Sequence, residues 1–174
     1  MNIFVLDRDP YKAAQMLCDK HVIKMHVEGV QMLVSALRRW LDAVDVKRKD
    51  GNQHRGGYAN HPCTRWAGDS IRNFQWLLSH THGLCYEHQH RYGKHPHSLI
   101  QLDQIMLHYS RLRGEMMSSG CIDQTPFALA MPDEYKITDS PVRSYRRYYK
   151  NEKAEFAEWS RGRTAPLWFV VKYQ

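Results

Sequence analysis

The chain has 174 residues and a hydrophobic fraction of 43%, which suits a single domain with a buried core. Its net charge of +7 makes nucleic acid the leading partner class, although the same charge also serves solubility. No apolar run approaches the roughly 18 residues of a membrane span, and the N-terminal apolar run is too short for a signal peptide. We therefore expect a cytoplasmic protein without a membrane contact.

The first predicted element is a long helix. Asp9 caps it, Pro10 occupies its first position, and apolar residues keep helical spacing for about eight turns, to near Asp45. A polar connection, VKRKDGNQHRGGYANHP, follows and is long enough to be functional. Pro62 then begins a second helix, whose apolar face predicts that it continues to near Gly93.

A third helix is predicted from Ser98 to Gly120, followed by an irregular loop with two prolines. Ser140 and Pro141 begin a fourth helix, whose apolar register extends to Trp159. The stretches NIFVLD and LWFVVKY are the only plausible strands. The expected architecture is mainly all-α. It is a compact bundle of about four helices with long loops and short extended termini, forming a single domain over residues 1–174.

The four cysteines, Cys18, Cys63, Cys85 and Cys121, are single and widely spaced. Such spacing indicates neither a zinc knuckle nor a disulfide scaffold, so we expect reduced and mostly buried thiols.

Histidines are frequent between positions 80 and 97, but their spacing does not suit a metal site. His80 and His88, like His82 and His90, are eight residues apart rather than three or four, and no HExxH motif occurs. We predict no metal and no cofactor.

The first helix carries a strip of titratable and amide side chains. His21, Lys24, Glu28 and Gln31 lie within about a quarter turn of one another, whereas His26 points elsewhere. A base, an amine and a carboxylate on a helix otherwise committed to a core are typical of a recessed site. The simpler interpretation is a polar surface strip in which Lys24 and Glu28 form an ordinary ion pair.

The stretch NHPCTRWAGDSIRNFQW, which begins the second helix, is a candidate DNA contact. Asn60 or His61 caps this helix, and the free N–H groups there offer an anion pocket. Guanidinium groups for phosphate and rings for stacking follow, on Arg65, Trp66, Arg72, Asn73 and Trp76. Trp66 is better explained as a core residue than as a stacking platform.

The fourth helix combines positive charge with tyrosines, which is typical of a phosphate-binding surface. Its cations are Arg143, Arg146, Arg147, Lys150 and Lys153, and Arg161 and Arg163 extend the charge beyond the helix. Lys20 on the first helix is also assigned to DNA contact. The alternative is that the tyrosines face inward and that the cations form an ordinary solvated face.

Asp19, His21 and Glu28 form a D-x-H-x(6)-E pattern on the first helix, after a start of the form M-x-hydrophobic-aromatic. With the basic helical body, this pattern resembles the pyrimidine-dimer DNA glycosylases of the phage endonuclease V type. The blocks CDKHV-K, NHPC and MPDEYK are also similar to an uncharacterised phage protein family. The resemblance implies a protein of a bacterial or phage-infected cell.

What the resemblance implies is a monomeric, all-helical enzyme that binds duplex DNA, flips a nucleotide and cleaves its glycosidic bond. An amine attacks the sugar and forms an imine, Glu28 takes the carboxylate role, and His21 supports it. The attacking group stays open. It is the amine of Met1, the side chain of Lys24, or water activated by Glu28. Asn2 is a poor context for removal of the preceding Met.

Three functions from different classes remain after the sequence is considered. The first is a DNA glycosylase that acts on damaged or modified pyrimidines, with or without lyase activity toward abasic sites. Its base pocket would be formed by Trp66, Trp76 and Phe127. The second is a non-catalytic protein that binds nucleic acid or blocks a host factor, with the first-helix strip as a buried polar network. The third is an enzyme for nucleotides or other small phosphorylated ligands, held at Asn60 to Cys63.

Overall fold

The computed structural model describes residues 1–170, and within them the fold is all-α, as predicted. The only strand-like pairing in this part of the chain is an isolated bridge between Lys47 and Gln53. A short 3-10 turn spans Asp133–Tyr135. The α-helices are α1 Pro10–Met16, α2 Asp19–Trp40, α3 Pro62–Ala67, α4 Ile71–Tyr92, α5 Ser98–Leu107, α6 Tyr109–Ser118, α7 Pro141–Glu152 and α8 Leu167–Val170.

The predicted first helix is interrupted, and this corrects the sequence interpretation. Leu17 and Cys18 both adopt extended backbone angles between α1 and α2. The N–H group of Cys18 donates instead to the hydroxyl of Tyr149 on α7, at 3.0 Å. Because apolar residues continue on both sides of the break, the spacing alone does not reveal it.

The second and third predicted helices are also divided. Gly68 ends α3, and the extended Ser70 caps α4 by accepting a hydrogen bond from the N–H of Asn73. His108 separates α5 from α6. The predicted start at Pro62 is confirmed, and so is the stop near Gly93, which has a left-handed backbone with a φ of 65°.

The ends of the chain differ from the strand prediction. The segment 2–7 forms no strand, although Ile3, Val5 and Leu6 are buried in the core. Residues 167–170 form α8, and the rest of the predicted C-terminal strand lies outside the described residues. The fourth helix ends at Glu152, so it does not continue to Trp159, and the side chain of Ser140 does not cap it.

The two longest helices, α2 and α4, cross closely at the centre of the fold. At Gly29 of α2, an added Cβ would lie 2.3 Å from Oγ1 of Thr81 on α4. That hydroxyl is already committed, because it donates to the carbonyl of Leu77 at 2.7 Å. Only glycine permits this helix separation. The crossing fixes α2, which carries the candidate site.

A buried ionic network ties the start of α2 to α4 and to the C-terminal segment. Arg91 donates to Asp19 at 3.0 Å and to Glu87 at 3.1 Å, while Arg163 donates to Glu87 at 3.0 Å. Burial alone would raise the pKa of the Asp19 carboxyl, but hydrogen bonds from Ser160 and Arg91 outweigh it and lower the pKa. The carboxylate therefore stays ionised inside the fold.

The cysteines are free, as expected, and Cys18, Cys63 and Cys85 are buried. None of the described helices is both long enough and apolar enough to cross a membrane.

We predict that the protein loses stability as the pH falls below about 6.5. Burial lowers the pKa of His21, His26 and His80 from 6.5 to about 4. Between these values the unfolded chain binds protons that the folded chain excludes. Each histidine therefore lowers the free energy of unfolding by at most about 1.4 kcal/mol per pH unit.

Urea unfolding followed by tryptophan fluorescence at several pH values measures this effect. The control is His95→Gln, which replaces an exposed histidine. Its free energy of unfolding should depend on pH in the same way as that of the native protein. A free energy of unfolding that stays constant across this range would contradict the prediction.

Candidate active site

The carboxylate of Glu28 lies between two amines. Its Oε2 is 3.6 Å from the α-amino nitrogen of Met1, and its Oε1 is 3.2 Å from Nζ of Lys24. The side chain of Glu28 is 12% exposed and that of Met1 is 1% exposed, whereas that of Lys24 is 69% exposed. The buried groups are thus the Met1 side chain and the Glu28 carboxylate, while Met1 as a whole is half-buried and Lys24 extends into solvent.

The N-terminal segment is held in place by its own second residue. Oδ1 of Asn2 accepts hydrogen bonds from the N–H groups of Ile3 and Phe4, at 2.8 and 3.2 Å. Nδ2 of Asn2 donates to the carbonyl of Ala130 at 2.8 Å. Tyr145 of α7 fixes this loop in turn, because its hydroxyl accepts from the N–H of Ala130. The position of Met1 is therefore set by contacts with distant parts of the chain.

His61 lies on the other side of the carboxylate. Its Nδ1 accepts a hydrogen bond from the N–H of Cys63 at 3.2 Å, which confirms His61 as the cap of α3. Burial and the charge of the Met1 amine lower the pKa of His61, while the charge of Glu28 opposes them. At neutral pH the ring is neutral, and its proton is on Nε2 because Nδ1 accepts.

Cys63 is the nearest thiol to this cluster. Burial raises its pKa to about 11, although a hydrogen bond with Tyr145 acts in the opposite direction. At neutral pH the group is therefore a thiol rather than a thiolate, which excludes it as the nucleophile.

His21 lies within an aromatic cluster. Its ring stacks on Phe4 with centroids 4.7 Å apart, and its Nδ1 is 2.7 Å from the hydroxyl of Tyr149. The same hydroxyl accepts the N–H of Cys18 and still has its own proton available for Nδ1 of His21. The backbone of Phe4 has a φ of 34°, a strained left-handed value, and the stacked histidine supports this bend. His21 therefore acts on the N-terminal segment and has no direct contact with Glu28.

The three residues of the D-x-H-x(6)-E pattern have three separate structural environments. Asp19 binds Arg91 and Ser160, His21 packs on Phe4, and Glu28 faces Met1. Of the three, only Glu28 is paired with amines, those of Met1 and Lys24. Lys20, assigned to DNA contact, lies on the same helix with its ammonium 4.7 Å above the ring of Phe156.

The predicted aromatic base pocket is a closed cluster, and this corrects the sequence interpretation. The rings of Trp66, Trp76 and Phe127 contact one another at centroid distances of 5.0 to 5.9 Å. Trp66 and Trp76 are buried, so no base can enter between them. Asn73 is also fully buried, donates to the carbonyl of Trp66, and does not reach the surface.

The remaining predicted DNA-contact residues are divided between two surfaces. Asn60 and Arg65 are exposed near α3, where they line the same cleft, and the exposed Arg72 pairs with Asp123 at 3.7 Å. The others lie on α7. Arg143 and Arg147 are exposed and line a cleft of about 710 Å³ with Lys150.

Arg146 differs from its neighbours on α7 because its guanidinium group faces inward. Nε of Arg146 donates to the carbonyl of Leu6 at 2.8 Å, and the group lies 5.4 Å above the ring of Trp168. It also approaches Asp7 at 3.7 Å. Arg146 therefore stabilises the N-terminal segment, while it also lines the same cleft as Arg143 and Arg147, so its contact with DNA stays a prediction.

Sequence reasoning missed the surface between α2 and α3. Tyr58, in the loop that ends at His61, is 71% exposed and has a strained backbone φ of 51°. Arg38 and Arg55 line clefts beside this loop. The charge run KRKDGNQHR was visible in the sequence, but only the packing of its loop on α2 identifies the surface.

Residues 1–170 contain no group of three or more His, Cys, Asp or Glu side chains arranged to hold a metal ion. The groups that the structure brings together at the site are an amine, a carboxylate and a neutral imidazole.

Comparison with known proteins gives one family match. A family profile described as pyrimidine dimer DNA glycosylase matches residues 1–101, which include Met1, Glu28 and His61. No curated protein and no solved structure matches the chain. Because the profile covers more than half of the 174 residues, the chain belongs to the pyrimidine dimer DNA glycosylase family.

Proposed function

We propose that the protein is a DNA glycosylase that removes damaged pyrimidines from duplex DNA and then cleaves the strand as a lyase. Met1 supplies the attacking amine and Glu28 the catalytic carboxylate. We also propose that the enzyme acts in the cytoplasm as a monomer with a single domain.

The observation that carries the proposal is the pairing of the Met1 amine with the carboxylate of Glu28, 3.6 Å apart. A charged carboxylate is seldom buried on a core helix unless it is paired or functional. Here its partner is the α-amine of a segment that is itself packed in the core. Both groups lie inside the region that matches the family.

The geometry favours Met1 over Lys24 as the nucleophile. An attacking amine must lose its proton and part of its hydration shell. α-Amino groups as a class are weaker bases than lysine side chains, so they are more often unprotonated near neutral pH. The amine of Met1 is anchored by a side chain that is 1% exposed, whereas the side chain of Lys24 is 69% exposed. Lys24, whose ammonium extends into solvent, is better suited to contact a phosphate.

In the proposed reaction the amine of Met1 is the nucleophile and the carboxylate of Glu28 stabilises the positive charge. The nitrogen lone pair forms a bond to C1′ of the sugar, the bond from C1′ to the base breaks, and its electron pair leaves with the base, which takes up a proton. Glu28 stabilises the positive charge that develops on the sugar, as carboxylates do at other glycosidic bonds. The sugar ring then opens as the C1′–O4′ bond breaks, a proton passes from the nitrogen to O4′, and C1′ and the nitrogen form an imine. Loss of a proton from C2′ and breakage of the C3′–O bond release the 3′ phosphate and cleave the strand.

We predict that Glu28→Gln lowers the rate of base release by at least about a hundredfold, the lower range for loss of a catalytic acid or base. The amide has the same shape, so the fold and the affinity for undamaged duplex should be retained. The measurement is cleavage of the glycosidic bond in ultraviolet-irradiated duplex DNA, with circular dichroism as the test of folding. Because a dimerised base stays linked to its neighbour, base release is scored as alkali-labile strand breaks at the dimers.

Glu115→Gln is the matched control, because Glu115 is exposed on α6 and has no ion pair within the described chain. It should retain full activity. Undiminished base release by Glu28→Gln would refute the role of this carboxylate. DNA binding by the native protein without any base release would instead support the non-catalytic binding function.

Tyr58 is proposed as the ring that stacks on a base near the site. Its carbonyl accepts a hydrogen bond from the N–H of His61 at 2.9 Å, so the ring is presented by a fixed loop. Gly57, its neighbour, packs against Gln31 of α2, one turn from Glu28. With the buried tryptophans excluded, Tyr58 is the exposed aromatic residue of this loop.

We predict that Tyr58→Ala weakens binding to damaged duplex about tenfold, within the usual range of about 1–3 kcal/mol for stacking of one base. Stability should change by less than about 0.5 kcal/mol, because the side chain is exposed. Tyr86→Ala, which removes an exposed tyrosine of α4, is the control for both measurements. Equal affinities of the two variants would exclude the stacking role.

A further inference from the structure

Two clefts flank the loop that packs on α2. The larger has a volume of about 930 Å³, and Val27 and Gln31 of α2 line it together with residues 48, 49 and 52–56 of the loop. The smaller, of about 460 Å³, lies between α2 and the start of α3. Arg55 lines both clefts, so the two meet at this residue.

Both clefts are rich in cations, and no Asp or Glu of the described chain lines either of them. The cationic side chains are Arg48, Lys49 and Arg55 in the larger cleft and Arg38, Arg39, Arg55 and Arg65 in the smaller. Like charges this close repel one another unless an anion or solvent intervenes. Their arrangement therefore suits an anionic ligand with several charges.

Most of this charge is not compensated within the protein. Arg39 pairs with Asp69 at 2.7 Å and Arg48 with Asp50 at 3.3 Å. The side chains of Arg55 and Arg65 make no hydrogen bond or ion pair within residues 1–170. Arg38 bonds to backbone carbonyls, which orient its guanidinium group without neutralising it.

The walls of the clefts are fixed before any ligand binds. The hydroxyl of Ser35 on α2 accepts from the N–H of Gly57 at 2.8 Å and donates to its carbonyl at 3.1 Å. An added Cβ on Gly56 would lie 2.3 Å from the same hydroxyl, so glycine is needed there. Binding to a fixed surface avoids the entropy cost of ordering a loop.

The larger cleft also holds a polar atom without a partner. His97 lines it, and Nε2 of this ring is buried with no hydrogen-bond partner within the described residues. A ligand oxygen at this point would satisfy the ring nitrogen. Val27, on the same wall, is the direct neighbour of Glu28 in α2.

We infer that the two clefts form one groove that binds consecutive phosphates of a DNA strand beside Glu28, with Arg55 at its centre. This inference rests on the proposed function, because the strand is that of the substrate duplex. It places the principal phosphate contacts on α2, the loop and α3 rather than on the outer face of α7.

The test is the salt dependence of binding to an undamaged duplex, with binding measured by fluorescence anisotropy. Arg55→Gln should make the negative slope of log K against log salt shallower by about one, since each lost phosphate contact reduces its magnitude by about 0.9. Arg55→Gln combined with Arg65→Gln should lower it by about two, and Arg55→Lys should restore most of the affinity.

Arg113→Gln is the matched control, because Arg113 is exposed on α6 and lines neither cleft. It should leave the slope unchanged. A variant with both Arg143→Gln and Arg147→Gln tests the face of α7. The groove is excluded if this variant lowers the slope while Arg55→Gln does not, or if Arg55→Gln and Arg113→Gln behave alike.

Base release measured in parallel separates this inference from the proposed function. If Arg55→Gln lowers the slope but the native protein releases no base, the groove stands and the glycosylase proposal fails. If the native protein releases base and Arg55→Gln has no effect on binding, the glycosylase proposal stands and the groove fails.

Discussion

The structure depends on burial of the first six residues in the helical core. Ile3, Val5 and Leu6 contribute apolar surface that would otherwise be exposed at the end of the chain. Because these side chains are fixed, the preceding α-amine is fixed as well. The hydrophobic effect, which is non-directional, thus places the amine, and the helical position of Glu28 determines which group the amine meets.

Specific polar and aromatic contacts convert this burial into one defined geometry. Asn2 ties the segment to the loop held by α7, and the ring of His21 supports the strained backbone of Phe4. The close crossing at Gly29 fixes α2 against α4. A pair of amine and carboxylate must be held within a fraction of an ångström to be useful in catalysis, and these contacts supply that precision.

Local sequence signals predicted much of the fold and part of the site. Pro10, Pro62 and Gly93 marked helix ends correctly because their backbone preferences are local. Glu28 was recognised from its spacing on an otherwise apolar helix.

The rest depends on contacts between distant residues, which spacing does not encode. Apolar periodicity continues across the break at Cys18, where Tyr149 supplies the replacement hydrogen bond. The alternating apolar start resembled a strand, although it packs in the core without a partner strand. Arg55 was not recognised, because only the folded loop brings it beside the arginines of α2 and α3.

The measurement that tests the central claim most directly is borohydride trapping of the protein on ultraviolet-irradiated duplex DNA, followed by mass spectrometry of the peptide that carries the adduct. The account predicts a covalent adduct on the α-amine of Met1, beside Glu28. An adduct on Lys24, or base release without any adduct, would contradict it.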